Sequence, residues 1–186
     1  MPTRALRSDA ALNRARIVAC ARAALVESGG LVQDFRLQAV AKAAQVGQGT
    51  LYRHFPTREH LLVEAYQQEM SELVQAVLVL LAQYPPLEAL ARWLDHLLRY
   101  AEVKRGVVVA IEASAWQNLY ADNEARLDQA LQTLLDRGVA TGDVREGVDA
   151  TDVILLLGAL SRVPANQWDA RARPLVIIIL DGLRQH

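Results

Sequence analysis

Apolar residues recur at three- and four-residue intervals along almost the whole of this 186-residue chain, and no segment alternates with the two-residue period of a strand. The chain is therefore expected to be all-α. Breaks divide the pattern into elements. Ile17, Ala21, Ala24 and Leu25 line one face of a helix from about Asp9 to Ser28, which Gly29 and Gly30 stop. Leu37, Val40, Ala41 and Ala44 share a stripe on a short helix. After Gln45, Val46 and Gly47 a second short helix is expected from Gln48 to His54. Pro56 closes it, and Thr57 can cap a long helix that runs to Gln83, ahead of Pro85 and Pro86. Leu87, Leu90, Ala91, Leu94, Leu97, Leu98 and Ala101 trace the next, followed by a shorter one from Gly106 to Trp116 and another from Asp122 to Val139. Asp149 is placed to cap a helix through Leu160. The last helix ends near Arg184, with Pro174 suited to its first turn. The pattern gives about nine helices.

Apolar residues make up 52% of the chain, enough to bury a core. Length and pattern suit a head over residues 1–56 and a larger helical body over residues 57–186. The single cysteine, Cys20, excludes an internal disulfide and a cysteine-built zinc site, and fits a reducing cytosol. The basic start MPTRALRSDA lacks the apolar stretch of a signal peptide. The aliphatic runs Val153–Leu157 and Leu175–Leu180 are far shorter than the roughly 20 residues that span a bilayer. A cytoplasmic protein without membrane association is expected.

Charge is segregated between the two parts. Residues 1–60 carry nine Lys/Arg against four Asp/Glu, and the remainder eleven against seventeen. A basic head suits a polyanion, because neutralising phosphates releases condensed counterions. Two solvated surfaces would give the same count.

The segment RLQAVAKAAQVGQGTLYRHF, residues 36–55, reads as a short helix, a tight turn and a second short helix that opens with small residues. In a helix-turn-helix the first helix braces the second, whose N-terminal part enters the major groove. Ala41 and Ala44 are small enough for close helix packing, and Val46 can plug the gap between the helices. Gly49 and Thr50 leave room for a duplex, while Arg53 and Arg58 bring positive charge to the flanks. Tyr52 and His54 offer donors at spacings that suit phosphate oxygens.

These residues resemble the tetracycline-repressor (TetR) family of bacterial one-component regulators. The likeness runs from Ile17 to Ala65. It rests on Glu27 and Gly29, on the Val-Ala-x-Ala-Ala core at Val40–Ala44, and on Tyr52, His54 and Phe55, with Arg58, Glu59 and Leu61 following. It implies a homodimer that binds a roughly palindromic operator in double-stranded DNA, and a variable C-terminal domain that senses a small molecule and forms the dimer. Carried over position by position, Gln48, Thr50 and Leu51 are the candidates for base edges, since Gln can bond bidentately to adenine and Thr or Leu can pack on a thymine methyl. Arg36, Tyr52, His54 and Arg58 are the candidates for phosphates, which position the protein rather than specify sequence. Phe55 is core. Arg4 and Arg7 form either a groove-binding arm or a solvated basic terminus.

Three residues depart from the family pattern. Arg36 stands where the family usually has a capping Thr, and trades the cap for a charged phosphate contact. Gln45 stands where Gly is common in the turn. A left-handed backbone there would cost Gln about 1 kcal/mol. Gly47 replaces Ser or Asn and brings no side chain to DNA.

In the body, Trp93, His96 and Tyr100 lie three to four apart and, with Ile111, Trp116 and Tyr120, could line a pocket for an apolar or aromatic effector. An ordinary core explains them equally well. Asp95 and His96 are adjacent on a helix and point apart, so they are no catalytic pair. The sequence has no phosphate-binding Gly loop, no His-Glu-x-x-His motif and no Gly-x-Ser-x-Gly elbow, so neither enzyme chemistry nor a cofactor or metal is expected. Val153, Ile154, Leu157 and Leu160, then Leu175, Ile178, Ile179 and Leu183, give the last two helices apolar residues all round. Such helices must bury both faces. The resemblance assigns the second face to a two-fold four-helix dimer interface.

The expected protein is thus an all-α regulator, most simply a repressor released from its operator by a ligand, and associated with the bacterial nucleoid when bound. The alternative is a helical ligand-binding or protein-interaction module that has lost operator binding.

Overall fold

A computed structural model describes residues 3–28, 35–111 and 113–185, without the side chains of residues 3–8, 109 and 113–122. Its helices are α1 (Thr3–Glu27), α2 (Leu37–Ala43), α3 (Gln48–His54), α4 (Arg58–Gln83), α5 (Pro86–Ala110), α6 (Ala113–Ala140), α7 (Ala150–Gly158) and α8 (Trp168–Leu183). Two short 3-10 turns, Ala159–Arg162 and Ala165–Gln167, lie between α7 and α8. Among the described residues there is no strand beyond one isolated bridge, Val144 with Arg184.

The chain forms two compact units. The first comprises residues 1–69 and 102–111, the second residues 70–101 and 112–186. The first unit takes in the N-terminal part of α4 as well as α1 to α3. Three helices of which two have only two turns cannot bury their apolar faces among themselves. Leu61, Leu62, Ala65 and Tyr66 of α4 supply the missing cover, beside Ile17, Ala21 and Leu25 of α1, Val40 and Ala41 of α2, and Leu51 of α3, all buried. Arg22 of α1 ties this unit together by giving both Nε and Nη2 to one carboxylate oxygen of Glu69, at 2.8 and 2.7 Å.

In the second unit, Met70, Leu73 and Val77 of α4, Trp93, Leu94 and Leu97 of α5, Leu131, Leu134 and Leu135 of α6, Val153 and Leu157 of α7, and Trp168, Val176 and Leu180 of α8 are buried. Asp149 caps α7 as expected, accepting from the Thr151 N–H at 2.7 Å. Gly138 lets Val144 close onto the last turns of α6, where an added Cβ would lie 2.3 Å from Val144 Cγ2.

The described residues form eight α-helices, close to the nine or so expected. Two expectations about the body are corrected. The breaks expected after Ala101 and ahead of Asp122 do not occur: α5 runs unbroken through Gly106, and α6 already starts at Ala113. A mid-helix Gly costs about 1 kcal/mol, which the full burial of Val103 and Val107 on either side outweighs. Pro174 lies inside α8 rather than in its first turn. Buried Trp168 and Ala172 anchor the preceding turns, and Pro174 itself faces solvent, where the carbonyl it leaves unbonded can be hydrated.

Candidate nucleic-acid interface

The interface is built on the turn between α2 and α3. Arg36 precedes α2 in extended backbone (φ −114, ψ 121), makes no capping hydrogen bond, and points its side chain to solvent. At the other end of α2, the Val46 N–H reaches the Ala41 carbonyl at 3.0 Å and the Gln45 N–H reaches that of Lys42 at 3.1 Å. This paired closure needs a left-handed residue between them, and Gln45 supplies it with φ 54. The turn thus keeps its geometry without glycine, at about 1 kcal/mol of strain.

Gly47 opens α3, its carbonyl accepting from the Thr50 and Leu51 N–H groups at 2.9 and 3.1 Å. A Cβ added at Gly47 or Gly49 would meet nothing within 4 Å. Packing inside the chain does not require these glycines, whose effect is to leave the start of α3 bare for an approaching surface. Gln48 is exposed, Thr50 half-buried, and Tyr52 47% exposed. Lys42 and Arg53 are exposed as well, with Arg53 Nε donating to the Gly49 carbonyl at 3.1 Å. A short helix with a bare, polar N-terminal end, in a segment that also exposes Arg36, Lys42 and Arg53, can accept a polyanion and read polar groups beside it.

Not every expected contact residue faces this way. Leu51 is 1% exposed. It sits four residues before buried Phe55, on the inward side of α3, and cannot reach a base edge. That spacing was the signal for a core pair. His54 is half-buried and its carbonyl accepts from Arg14 Nη1 at 3.4 Å. Arg58 lies with its guanidinium carbon 5.6 Å from the Phe35 ring centroid, and its Nε and Nη2 are shielded from solvent. In this conformation Arg58 is a ring-stacked side chain, not an outward charge. Lys42 carried no role in the sequence reading, and Arg53 only general positive charge. The Arg4 and Arg7 side chains lie outside the described residues, as does Gly29.

Thr57 precedes α4 and works as a cap: its hydroxyl accepts from the His60 N–H at 3.4 Å and lies 2.9 Å from His60 Nδ1. A hydrogen bond from Thr57, aided by Glu59's own backbone N–H, holds the Glu59 carboxyl below the usual carboxylate range.

The six residues expected at an effector pocket are described only in part. Trp93 is fully buried in the second unit, with its Nε1–H donating to the Leu73 carbonyl at 2.9 Å, and Tyr100 is buried too. His96 is half-buried, its Nδ1 2.9 Å from Arg99 Nη2. Asp95 instead pairs with Arg173 at 2.7 Å, so the two neighbours do point apart. Ile111 belongs to the first unit. The side chains of Trp116 and Tyr120 lie outside the described residues.

The apolar faces of α7 and α8 also sort differently from expectation. Val153, Leu157, Leu160 and Leu183 are buried within the chain, and Ile154, Leu175 and Ile179 are partly covered. The outward apolar residues are Leu155, Leu156, Ile177 and Ile178, at 71, 58, 49 and 66% exposure. Of the eight residues expected at the interface, Ile178 is exposed and Ile154, Leu175 and Ile179 are partly so. The inward stripe is the one the unit's own core needs. Among the described residues no helix is long and apolar enough to cross a membrane.

Comparison with known proteins bears on both units. A family model described as bacterial regulatory proteins, tetR family, matches residues 19–65, and one described as transcriptional regulator SbtR-like, C-terminal domain, matches residues 85–185. The HTH-type transcriptional repressor KstR of Rhodococcus jostii is 40% identical over 68 residues; the match covers 37% of this chain and only 32% of that protein. The crystal structure of the TetR transcriptional regulator SCO0520 from Streptomyces coelicolor matches with a TM-score of 0.78 at 34% identity, covering 92% of this chain and 98% of the other. A TetR transcription regulatory protein from Mycobacterium vanbaalenii matches with a TM-score of 0.71 at 30% identity, covering 96% and 99%.

Proposed function

The chain belongs to the tetR family of bacterial regulatory proteins, and from that membership we propose that it is a one-component repressor that binds operator DNA as a homodimer. One observation carries the reading. The start of α3 is bare of side-chain bulk at Gly47 and Gly49 although nothing in the chain lies within 4 Å there, and Gln48, Tyr52 and Arg53 of α3 are exposed, as are Arg36 and Lys42 at the two ends of α2. Gln48 and Thr50 are the base-reading residues in this proposal, and Arg36, Tyr52, Lys42 and Arg53 the phosphate-facing ones.

Two copies joined across Leu155, Leu156, Ile177 and Ile178 would cover the apolar surface that α7 and α8 leave to solvent. A two-fold dimer pairs two reading helices with half-sites about 34–36 Å apart. A small-molecule effector acts in this scheme by binding the DNA-competent and DNA-incompetent states unequally. The proposed location is the cytoplasm.

Enrichment of duplexes from a random-sequence pool by the purified chain tests the reading. An inverted repeat with steeply salt-dependent affinity is expected. Failure to enrich any duplex at low salt would favour a helical protein-interaction or ligand-binding module instead.

A further inference from the structure

A helix of seven residues is too short to hold itself, so the direction in which α3 points is set by what grips it. Leu51 and Phe55 grip it from below: both are buried, four residues apart, along one line of the helix surface. A short helix held chiefly along such a line can rock about it. α2 packs against α3 across the short turn, and a further grip comes from α1. Arg14 Nη1 donates to the carbonyl of His54, the last helical residue, at 3.4 Å, and the guanidinium carbon stands 4.6 Å over the Phe55 ring. Arg14 Nη2 is 2.9 Å from Glu64 Oε2 on α4. One partly exposed side chain therefore joins α1, the C-terminal end of α3 and α4. Its charge lies where the helix dipole is negative.

We propose that Arg14 is a positioning residue for DNA recognition: by clamping His54 and Phe55 against Glu64 it fixes the tilt of α3, and with it where Gln48 and Thr50 meet the bases. Arg14 touches no base in this scheme and contributes no phosphate contact. The inference rests on the DNA-binding reading above. Its consequence is specific. Loss of Arg14 degrades discrimination between sequences and spares general attraction to DNA.

The test uses the full chain, the duplex it enriches from a random pool, and poly(dI–dC) as the general competitor. Arg14→Met keeps the side-chain stem and removes the clamp. Its affinity for the enriched duplex is expected to fall about tenfold, while poly(dI–dC) binding changes less than about twofold and the slope of log affinity against log salt is unchanged. Arg14→Lys, which keeps the charge but not the fork, should recover part of the loss. Glu64→Gln, which leaves Arg14 in place but loosens its anchor, should show a smaller loss of the same kind and keeps the proposal testable if Arg14→Met folds poorly. Equal losses on both duplexes with a slope lowered by about one would make Arg14 a phosphate contact and overturn the proposal. So would unchanged discrimination in folded Arg14→Met or in Glu64→Gln. A wild-type chain that enriches no duplex would instead overturn the DNA-binding reading itself.

Discussion

The indole Nε1–H of Trp93 donates to the carbonyl oxygen of Leu73 at 2.9 Å, fastening α5 to α4 inside the second unit. A fully buried ring with its only donor satisfied is a structural post. Trp93→Phe removes the hydrogen bond and part of the ring volume together. Urea unfolding should report a loss of about 2–3 kcal/mol, with duplex affinity of the folded protein unaltered.

The pair Arg22 and Glu69 gives a different signature, because both side chains are largely buried. Arg22→Met alone strands a carboxylate in the core of the first unit and should cost about 3 kcal/mol. Adding Glu69→Leu removes the stranded charge, so the double variant should regain most of the loss. Denaturation of the two singles and the double measures this directly, and additive losses would contradict it.

Leu51 and Gln48 should separate stability from recognition. Leu51→Ala opens a void under α3 and should lower stability by about 2–4 kcal/mol. Gln48→Ala should leave stability within about 0.5 kcal/mol and lose affinity selectively at one base pair of an enriched duplex. Uniform loss across base substitutions would remove Gln48 from direct readout.

The outward residues of α7 and α8 predict an assembly. Leu156→Glu with Ile178→Glu places charge on the exposed apolar face and should give a folded monomer in sedimentation. Leu157→Glu, directed at a buried site one residue away, should instead unfold the second unit. Wild-type protein that sediments as a monomer would defeat the dimer proposal.

Acid should loosen the start of α4. The folded Glu59 carboxyl titrates below its unfolded value, so its contribution is present above the unfolded pKa and is lost as pH falls through the folded one. Thr57→Ala removes the largest cause of the depression. The Glu59 titration, followed by NMR, should then move up toward the ordinary carboxylate range.

Much of the first unit could be read from residues alone. Leu37 to Ala44, Gln48 to His54 and the long helix to Gln83 were each bounded by a stop or a cap, such as Gly47, Pro56 and Thr57, and they appear within a residue of expectation. The body offered weaker punctuation. Gly106 looked like a boundary because its cost is local and visible, whereas the burial of Val103 and Val107 that overrides it depends on distant partners. Leu51 was legible in part: its place in α3 suggested a base contact, whereas its four-residue spacing to Phe55 marks the buried side of the helix. Arg14 was beyond reach. It lies upstream of the family-like stretch, and its importance comes from three partners 40 to 50 positions away.

The brevity of α3 bears on how its surface behaves over time. Two turns gripped at Leu51, Phe55 and Arg14 open more readily than the interior of a 26-residue helix such as α4. In hydrogen exchange, the amides of α3 should be among the first of the described helices to take up deuterium, and a seated duplex should slow them most. Part of the free energy of binding would then go into quieting this helix, so a sequence that fits well is recognised by the order it imposes as well as by the groups it presents.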